Sequence, residues 1–294
     1  MTPAPLKIWT VIDLLKETQA YFAKCGIASP RLDAELLLAH CLQIERIKLY
    51  LDFEYQLTAD ELARFRELVR RRGKREPVAY ITGYKEFWSL RLSVTPDVLI
   101  PRPDTEVLVD ETVKMMKLRI TGCACRILDI GTGSGAIALS LARELPEAEI
   151  VALDLSSEAL KVAQANARSC DLVGRIGFIC GDSLRAVPDG ERFDAIVSNP
   201  PYIACADIEK LEPEIKNFEP RLALDGGSDG LDFYRAWIPH MHCYLKANSF
   251  VALEIGAMQG QAVTELFISQ GMYGDVRIIK DYANKQRVVL AQMM

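Results

Sequence analysis

The second half of the sequence alternates between short apolar runs and helical patterns, and this alternation restricts the fold more than any other feature. The apolar runs that read as strands are residues 126–130, 149–153, 177–180, 194–198 and 250–255. Helical patterns lie between them, and such an order predicts a doubly wound α/β domain, a parallel sheet with helices on both faces. The runs 276–280 and 286–291 are joined by a short polar turn without a helix, which predicts an antiparallel last strand.

The first part of the chain, to about residue 75, has helical patterns instead. Thr10 is an expected N-cap, Ser29 precedes a proline at the first helical position, and Thr58 with Glu61 forms a capping box. Residues 84–94 then alternate with the period of a strand. We therefore predict a small helical domain over 1–82, a β-hairpin linker over 83–104 and the α/β domain over 105–294, with Asp104 or Thr105 capping its first helix.

Charge and cysteine usage exclude some classes of protein. The net charge is −5 and apolar residues make up 50%, so a basic nucleic-acid footprint is missing overall and a buried core is feasible. The dense basic run, Arg70–Arg75, is either a docking face for an acidic partner or RNA, or a solvated helix end whose cations suit the helix dipole. Cysteines such as Cys123 match neither a disulfide framework nor a metal site, so we predict reduced thiols and no metal.

Targeting signals are the next consideration. Residues 1–5 lack the basic and apolar regions of a signal peptide, and no apolar stretch is long enough to span a bilayer. These features predict a cytoplasmic protein without a membrane partner.

A glycine-rich turn follows the first strand of the α/β domain. Gly131, Gly133 and Gly135 are spaced as GxGxG, and glycines there let the backbone approach a ligand closely at the carboxyl end of the strand. Glycine turns of this kind also occur in nicotinamide enzymes, although those favour GxGxxG. Asp129 stands on the strand just before the turn, where a carboxylate can hold an ammonium group.

Acidic residues also end the second and third strands. Asp154 is placed to accept the hydroxyl hydrogens of a ribose, and Asp182 is placed to meet an adenine amino group. Together with Asp129 they suit a ligand that carries an ammonium, a ribose and an adenine but no phosphate. S-adenosylmethionine is such a ligand. The other interpretation is that all three are ordinary capping carboxylates in βα turns.

The fourth strand runs into Asn199-Pro200-Pro201-Tyr202, at the crevice where open α/β sheets bind ligands. An amide or exocyclic base nitrogen is a poor nucleophile because its lone pair is delocalised. The Asn199 side-chain oxygen and the Pro200 carbonyl could accept its two hydrogens and turn the lone pair towards a methyl group. Tyr202 could pack on the planar group. Positioning then drives methyl transfer, and no general base is required.

Several segments resemble the HemK-type protein-(glutamine-N5) methyltransferases, which modify peptide chain release factors. The resemblance covers nearly the whole chain. Besides the glycine turn and the Asn-Pro-Pro-Tyr motif, which is shared with nucleic-acid base methyltransferases, the segments are PVAYITG at 77–83, IPRPDTE at 100–106, FEPRLAL at 218–224 and DYANKQRV at 281–288. Trp88-Ser89 departs from the family, where Tyr or Phe followed by Gly is expected. That departure affects the hairpin and leaves the chemistry untouched.

The resemblance implies a class I S-adenosylmethionine methyltransferase fold and a helical N-terminal domain that helps to bind the release factor. The substrate is then the glutamine of a Gly-Gly-Gln loop, and the product of the cofactor is S-adenosylhomocysteine. The implied cofactor-binding residues are Asp129, Gly131, Thr132, Gly133, Ser134, Gly135, Asp154, Asp182, Ser183 and Asn199. The implied substrate-binding residues are Arg102, Asn199, Pro200, Pro201 and Tyr202. Of these, Asn199, Pro200 and Tyr202 are predicted to act in catalysis.

Three other functions compete with this prediction. The first is an N-methyltransferase acting on an exocyclic base nitrogen of DNA or RNA, which would want a basic recognition module. The second is a nicotinamide oxidoreductase, disfavoured by the GxGxG spacing and the antiparallel end. The third is a non-catalytic cofactor-binding protein, disfavoured by the intact Asn-Pro-Pro-Tyr motif.

Overall fold

The computed structural model describes residues 8–119 and 125–294 of the chain. The predictions for residues 1–5 and for Cys123 lie outside them. The chain divides into two compact units. The first comprises Met1–Gly83 together with Pro213–Phe218, and the second comprises Tyr84–Glu212 together with Glu219–Met294.

The secondary structure follows the predicted order, helices first and alternating strands and helices afterwards. The α-helices are α1 (Val11–Lys24), α2 (Pro30–Leu42), α3 (Lys48–Leu51), α4 (Ala59–Gly73), α5 (Val78–Thr82), α6 (Glu106–Arg119), α7 (Ala136–Glu144), α8 (Ser157–Ser169), α9 (Cys205–Ile208), α10 (Pro213–Phe218), α11 (Asp232–Met241) and α12 (Gly260–Ser269). The strands are β1 (Tyr84–Phe87), β2 (Leu90–Ser93), β3 (Cys125–Ile130), β4 (Ala148–Asp154), β5 (Ile176–Cys180), β6 (Phe193–Ser198), β7 (Leu245–Glu254), β8 (Tyr273–Lys280) and β9 (Gln286–Met293).

The first unit is helical, and local sequence signals set where its helices begin. The Thr10 side chain accepts the Asp13 N–H at the start of α1, and Thr58 with Glu61 forms a complete capping box on α4. Ser29 precedes Pro30 at the start of α2 as predicted, but its side chain makes no capping hydrogen bond. Apolar side chains from α1, α2 and α4 form the core of this unit, and the largest fully buried ones on these helices are Phe22, Leu37, Leu38 and Phe65.

The basic run at the end of α4 is bound within the first unit. Arg72 is buried and contacts two carboxylates, Asp33 at 2.7 Å and Glu214 at 2.8 Å. Arg75 also binds Glu214, at 2.8 Å through Nε, and Arg71 binds Glu76. The cations that were candidates for a docking face therefore serve largely as internal ion pairs. Glu214 lies on α10, so this helix belongs to the first unit although its residue numbers fall in the predicted α/β domain.

The second unit begins with an antiparallel hairpin made by β1 and β2. Phe87 pairs with Leu90, so the turn consists of Trp88 and Ser89, which adopt positive φ values of 49° and 58°. A two-residue hairpin turn of this type needs positive φ at both positions, and glycine accommodates it with least strain. The Trp88 N–H and indole N–H bind Glu106 and Glu144, and these contacts hold the turn.

The sheet of the second unit confirms the predicted topology. Among the described residues it has seven strands in the order β5-β4-β3-β6-β7-β9-β8. Strands β3 to β7 pair in parallel, whereas β9 runs antiparallel to both β7 and β8. The strand that precedes Asn199, β6, lies beside the first strand of the sheet, β3, as the sequence predicts.

Alternate residues of the central strands enter two separate hydrophobic cores. Ile127 and Val197 pack on one face with α6 and α7, whereas Leu128 and Ile196 pack on the other face with α11 and α12. Strands that are buried on both faces read as continuous apolar runs, which is why the sequence revealed them. The two-sided cover leaves the carboxyl ends of the parallel strands as the edge where a ligand can enter.

Other predicted features can be compared with residues 8–119 and 125–294. No helix in these ranges combines the length and apolar character that a bilayer crossing requires. The cysteines described there, from Cys25 to Cys243, are unpaired thiols. These ranges also contain no group of three or more metal-binding side chains gathered at one place.

Candidate active site

A cavity of about 510 Å³ opens at the carboxyl ends of the parallel strands in the second unit. Most of the predicted site residues line it. Those that do are Arg102, Gly131, Thr132, Gly133, Ser134, Asp154, Asp182, Ser183, Asn199 and Pro201. Among the described residues, Asp129, Gly135, Pro200 and Tyr202 were also predicted for the site but are not part of this lining.

The glycine turn between β3 and α7 forms one wall of the cavity. Gly131, Gly133 and Gly135 all have positive φ, at 72°, 54° and 84°. The N–H groups of Gly131 and Thr132 donate to the carbonyl of Leu153, which fixes the turn against the end of β4. A side chain at Gly135 would lie 3.2 Å from the Cβ of Ala163, so this glycine also permits close packing of α7.

Asp154 and Asp129 both hold the glycine turn by hydrogen bonds. The Asp154 carboxylate accepts the N–H of Gly133 at 2.8 Å and that of Ser156 at 2.9 Å while it lines the cavity. Asp129 is fully buried and accepts the Thr132 hydroxyl at 2.7 Å, and burial raises its pKa to about 7. Its Oδ1 has no hydrogen-bond partner within the described chain. Asp129 therefore stabilises the turn from a buried position.

The cavity is acidic. Among the described residues that line it, the only basic side chain is that of Arg102. The acidic side chains are those of Asp97, Asp154, Glu158, Asp182 and Asp225. A surface of this charge attracts a cationic ligand and disfavours a phosphate group.

Asn199 directly follows β6, and the nitrogen of its side-chain amide is bound to another residue. Its Nδ2–H donates to the Thr105 hydroxyl oxygen at 3.0 Å, and both residues line the cavity. With the nitrogen engaged by Thr105, the Asn199 side chain has its oxygen available as an acceptor. Pro200, the next residue, is buried and so its ring is fixed in the protein interior.

Hydrogen bonds hold both the side chain and the backbone of Tyr202. It is not one of the described residues that line the cavity, and its hydroxyl donates to Oε1 of Glu254 at 3.1 Å. Its backbone carbonyl accepts the side-chain N–H of Gln259 at 2.9 Å. A side chain at Gly230 would lie 2.3 Å from that carbonyl oxygen, so the motif's backbone is closely packed.

Arg102, which also lines the cavity, is bound to a buried carboxylate. Its guanidinium pairs with Oε1 of Glu219, and Oε2 of Glu219 accepts the N–H of Ile100 at 3.1 Å. The Arg102 side chain keeps 32% of its surface exposed, so it can meet a ligand while the ion pair fixes its direction.

Four residues that help to build this site were not predicted from the sequence to have a functional role. Thr105 and Glu219 lie inside family segments that were noted but were not assigned to the site. Glu254 is a lone carboxylate in an apolar strand run, and that mismatch was an available signal. Gln259 has no local signal, because its contact with Tyr202 joins residues 57 positions apart.

The fold and the site together define a methyltransferase. Its second unit has the class I S-adenosylmethionine methyltransferase fold, with one antiparallel strand in the described sheet and a glycine turn at the cavity. The crystal structure of the hMettl16 catalytic domain, in complex with the MAT2A 3′UTR hairpin 6, is similar to this chain with a TM-score of 0.56. It has 16% sequence identity, and the match covers 80% of this chain and 82% of that one, so the likeness concerns the fold.

Sequence comparison gives the family. A family model described as the PrmC N-terminal domain matches residues 13–83, and one described as the methyltransferase small domain matches residues 105–214. The release factor glutamine methyltransferase of Geobacter sulfurreducens is 45% identical over 92% of both chains. That of Moorella thermoacetica is 44% identical over 96% of this chain and 98% of its own. The chain therefore belongs to the release factor glutamine methyltransferase family.

Proposed function

We propose that this protein transfers a methyl group from S-adenosylmethionine to the side-chain amide nitrogen of the glutamine in the Gly-Gly-Gln motif of peptide chain release factors. S-adenosylhomocysteine is the second product. The observation that carries the proposal is the Asn199–Thr105 hydrogen bond, because it leaves the Asn199 oxygen as an acceptor at the cavity. The relatives named for this activity support the choice of substrate.

The cavity fits the proposed cofactor. Its acidic lining suits a ligand that carries a sulfonium and an ammonium group and has no phosphate. The glycine turn would accommodate it together with Thr132 and Ser134, Asp154 would accept the ribose hydroxyls, and Asp182 with Ser183 would meet the adenine. When bound, S-adenosylmethionine supplies an electrophilic methyl group.

The protein's contribution to the chemistry is to hold the amide nitrogen. Oδ1 of Asn199 and the carbonyl of Pro200 would each accept one hydrogen of the glutamine amide, which turns the nitrogen lone pair towards the methyl group. Transfer would break the sulfur–methyl bond of the bound cofactor and form the nitrogen–methyl bond. The nitrogen then loses a proton to water. Such positioning is worth several kcal/mol of the barrier.

Arg102 and Pro201 would bind the remainder of the Gly-Gly-Gln loop, because both line the cavity beside Asn199. We assign residues 1–82 to recognition of the release factor, residues 83–104 to a linker and residues 105–294 to catalysis. We also propose a cytoplasmic location for the enzyme, because its proposed substrates are peptide chain release factors.

The runner-up function, methylation of a base in DNA or RNA, uses the same kind of nitrogen. The ion pairs of Arg71, Arg72 and Arg75 argue against it, because they occupy the densest basic run of the sequence. The deciding experiment incubates the protein and labelled S-adenosylmethionine with a release factor or with nucleic acid. We expect label in the release factor alone. Label in nucleic acid and none in the release factor would reverse the assignment.

A further inference from the structure

The two prolines of the Asn-Pro-Pro-Tyr motif cannot hold it in place by backbone donors. A proline ring fixes φ but removes the backbone N–H, so Pro200 and Pro201 have no backbone hydrogen to donate. The carbonyl of Pro200 is one of the two proposed acceptors of the substrate amide. Its direction therefore depends on what holds the chain beyond the prolines, at Tyr202.

The side chain of Gln259 holds the chain at this point. Gln259 stands directly before α12, and its Nε2 donates to two backbone carbonyls, that of Tyr202 at 2.9 Å and that of Gly230 at 3.1 Å. Its Oε1 accepts the N–H of Gly256 at 2.9 Å. All three partners are backbone groups, whose roles as donor or acceptor cannot change. The orientation of the Gln259 amide is therefore fixed, and both of its hydrogens are used.

Two glycines, Gly226 and Gly230, let their segment of chain approach the motif closely. A Cβ atom at Gly226 would lie 2.8 Å from the carbonyl oxygen of Pro201, and one at Gly230 would lie 2.3 Å from the carbonyl oxygen of Tyr202. Neither distance leaves room for a side chain. The N–H of Gly226 also donates to the carbonyl of Ile203 at 2.8 Å. The backbone of the motif is thus packed on this segment, and Gln259 joins the two.

We propose that Gln259 is a positioning residue, which holds the Tyr202 carbonyl and thereby fixes the direction of the Pro200 carbonyl towards the substrate amide. Because the proline rings already fix two φ angles, fixing the Tyr202 carbonyl leaves the Pro200 carbonyl little freedom to turn. Gln259 is not among the described residues that line the cavity, so it acts through the backbone of the motif. The inference rests on the proposed function, because it concerns the same nitrogen-holding site.

Gln259→Met in the full-length protein tests the proposal, because methionine has a similar length and no charge but cannot donate a hydrogen bond to Tyr202. Rates are measured over a range of release factor concentrations with saturating S-adenosylmethionine, and calorimetry gives the affinity and stoichiometry of cofactor binding. We expect kcat to fall about tenfold or more, because a small misplacement of a reacting group is costly in rate. The cofactor affinity and the KM for the release factor should stay within about twofold of wild type, since the cavity lining is unchanged.

Gln261→Met is the matched control. Gln261 lies on the same helix, is exposed, and donates to the Glu265 carboxylate at 3.0 Å. This variant should keep the wild-type kcat. A Gln259→Met enzyme with wild-type kcat would overturn the proposal. So would one whose lower rate is fully explained by a lower stoichiometry of cofactor binding, because that result would show a role in folding alone.

A second pair of variants, Gly230→Ala and Gly271→Ala, covers the case in which Gln259→Met does not fold. Both glycines have positive φ, at 78° and 66°, so both substitutions strain the backbone. Only the Cβ atom at residue 230 would press on the Tyr202 carbonyl, because nothing lies within 4 Å of such an atom at residue 271. Gly230→Ala should therefore lose turnover while Gly271→Ala keeps it. Equal kcat values for the two variants would also overturn the proposal.

The failure of this inference can be told from the failure of the proposed function. A wild-type protein that leaves the release factor unmethylated contradicts the proposed function. An active wild-type protein whose turnover does not respond to the substitutions at Gln259 and Gly230 contradicts only the positioning role.

Discussion

Asn199 donates its side-chain N–H to the hydroxyl oxygen of Thr105 over 3.0 Å, across 94 positions of sequence. The bond joins the end of β6 to the segment that precedes α6, and both residues face the cavity. It makes the Asn199 oxygen the free end of the amide. The proposed chemistry depends on that orientation.

The first prediction concerns this oxygen. Asn199→Ala should lower kcat and kcat/KM together, by about a hundredfold, because the lost contact is made mainly in the transition state. Asn199→Asp keeps an acceptor oxygen and should retain more activity than the alanine variant. Steady-state rates on a release factor give the comparison. Two equally inactive variants would mean that the amide hydrogens of Asn199 carry the function.

The second prediction concerns cofactor affinity. Asp154→Ala removes a carboxylate that lines the cavity and holds the Gly133 N–H, and should weaken S-adenosylmethionine binding by about 1–3 kcal/mol. Glu149→Ala is the control, because Glu149 lies on the same strand with an exposed side chain. Calorimetry on both variants measures the difference. An unchanged affinity in Asp154→Ala would remove this residue from the cofactor site.

The third prediction concerns the basic run. Arg72→Met leaves the carboxylates of Asp33 and Glu214 with one cation fewer in a buried place, and should cost about 3–5 kcal/mol of the free energy of unfolding. Arg70→Met, whose side chain is exposed and pairs with Glu67, should change stability by less than about 1 kcal/mol. Urea denaturation of the two variants is the measurement. Similar small losses in both would show that the Arg72 ion pairs contribute little.

The fourth prediction concerns stability and pH. The folded-state pKa of Glu254 is about 7, raised by burial from 4.5, so the folded protein binds its proton more tightly than the unfolded chain. The stability linked to Glu254 is therefore complete below about pH 4.5 and is lost as the pH rises through about 7. Glu254 therefore contributes less stability to the wild-type protein as the pH rises over this range.

Glu254→Gln isolates that loss. Its free energy of unfolding, relative to wild type, should increase from acidic to neutral pH by up to about 3 kcal/mol. Burial also raises the pKa of Asp129 to about 7. The pH dependence of the free energy of unfolding that comes from Asp129 should therefore remain in the variant. Thermal or urea unfolding at several pH values measures the difference. A difference that stays constant with pH would contradict the shifted ionisation of Glu254.

The sequence predicted those parts of the fold that local patterns determine. Strands β3 and β6 are buried on both faces and therefore read as apolar runs, and Thr58 with Glu61 marks the start of α4 by a purely local bond. The place of α10 could not be read in this way. Glu214 joins the first unit through Arg75, 139 positions away, and no local pattern reports such a pair.

In the candidate site, too, residues marked by a local pattern were predicted, whereas contacts between distant residues were not. The glycine turn and Asn199 were evident because the chemistry needs those residue types next to a strand end. The packing of Tyr202 on a substrate stays a prediction. The hydrogen bond of its hydroxyl to Glu254 could not be read from the sequence, because 52 positions separate the two residues. Glu254 was counted only as part of a strand, since its burial beside Tyr202 and Arg287 depends on elements that are far apart in the sequence.

The central claim is that the protein methylates one glutamine amide of a release factor. The most direct measurement is mass spectrometry of peptides from a release factor that has been incubated with the protein and S-adenosylmethionine. The account predicts a single added methyl group on the glutamine of the Gly-Gly-Gln motif, with far less of it after incubation with the Asn199→Ala variant over the same time. An unmodified glutamine, or a methyl group on another residue, would contradict it.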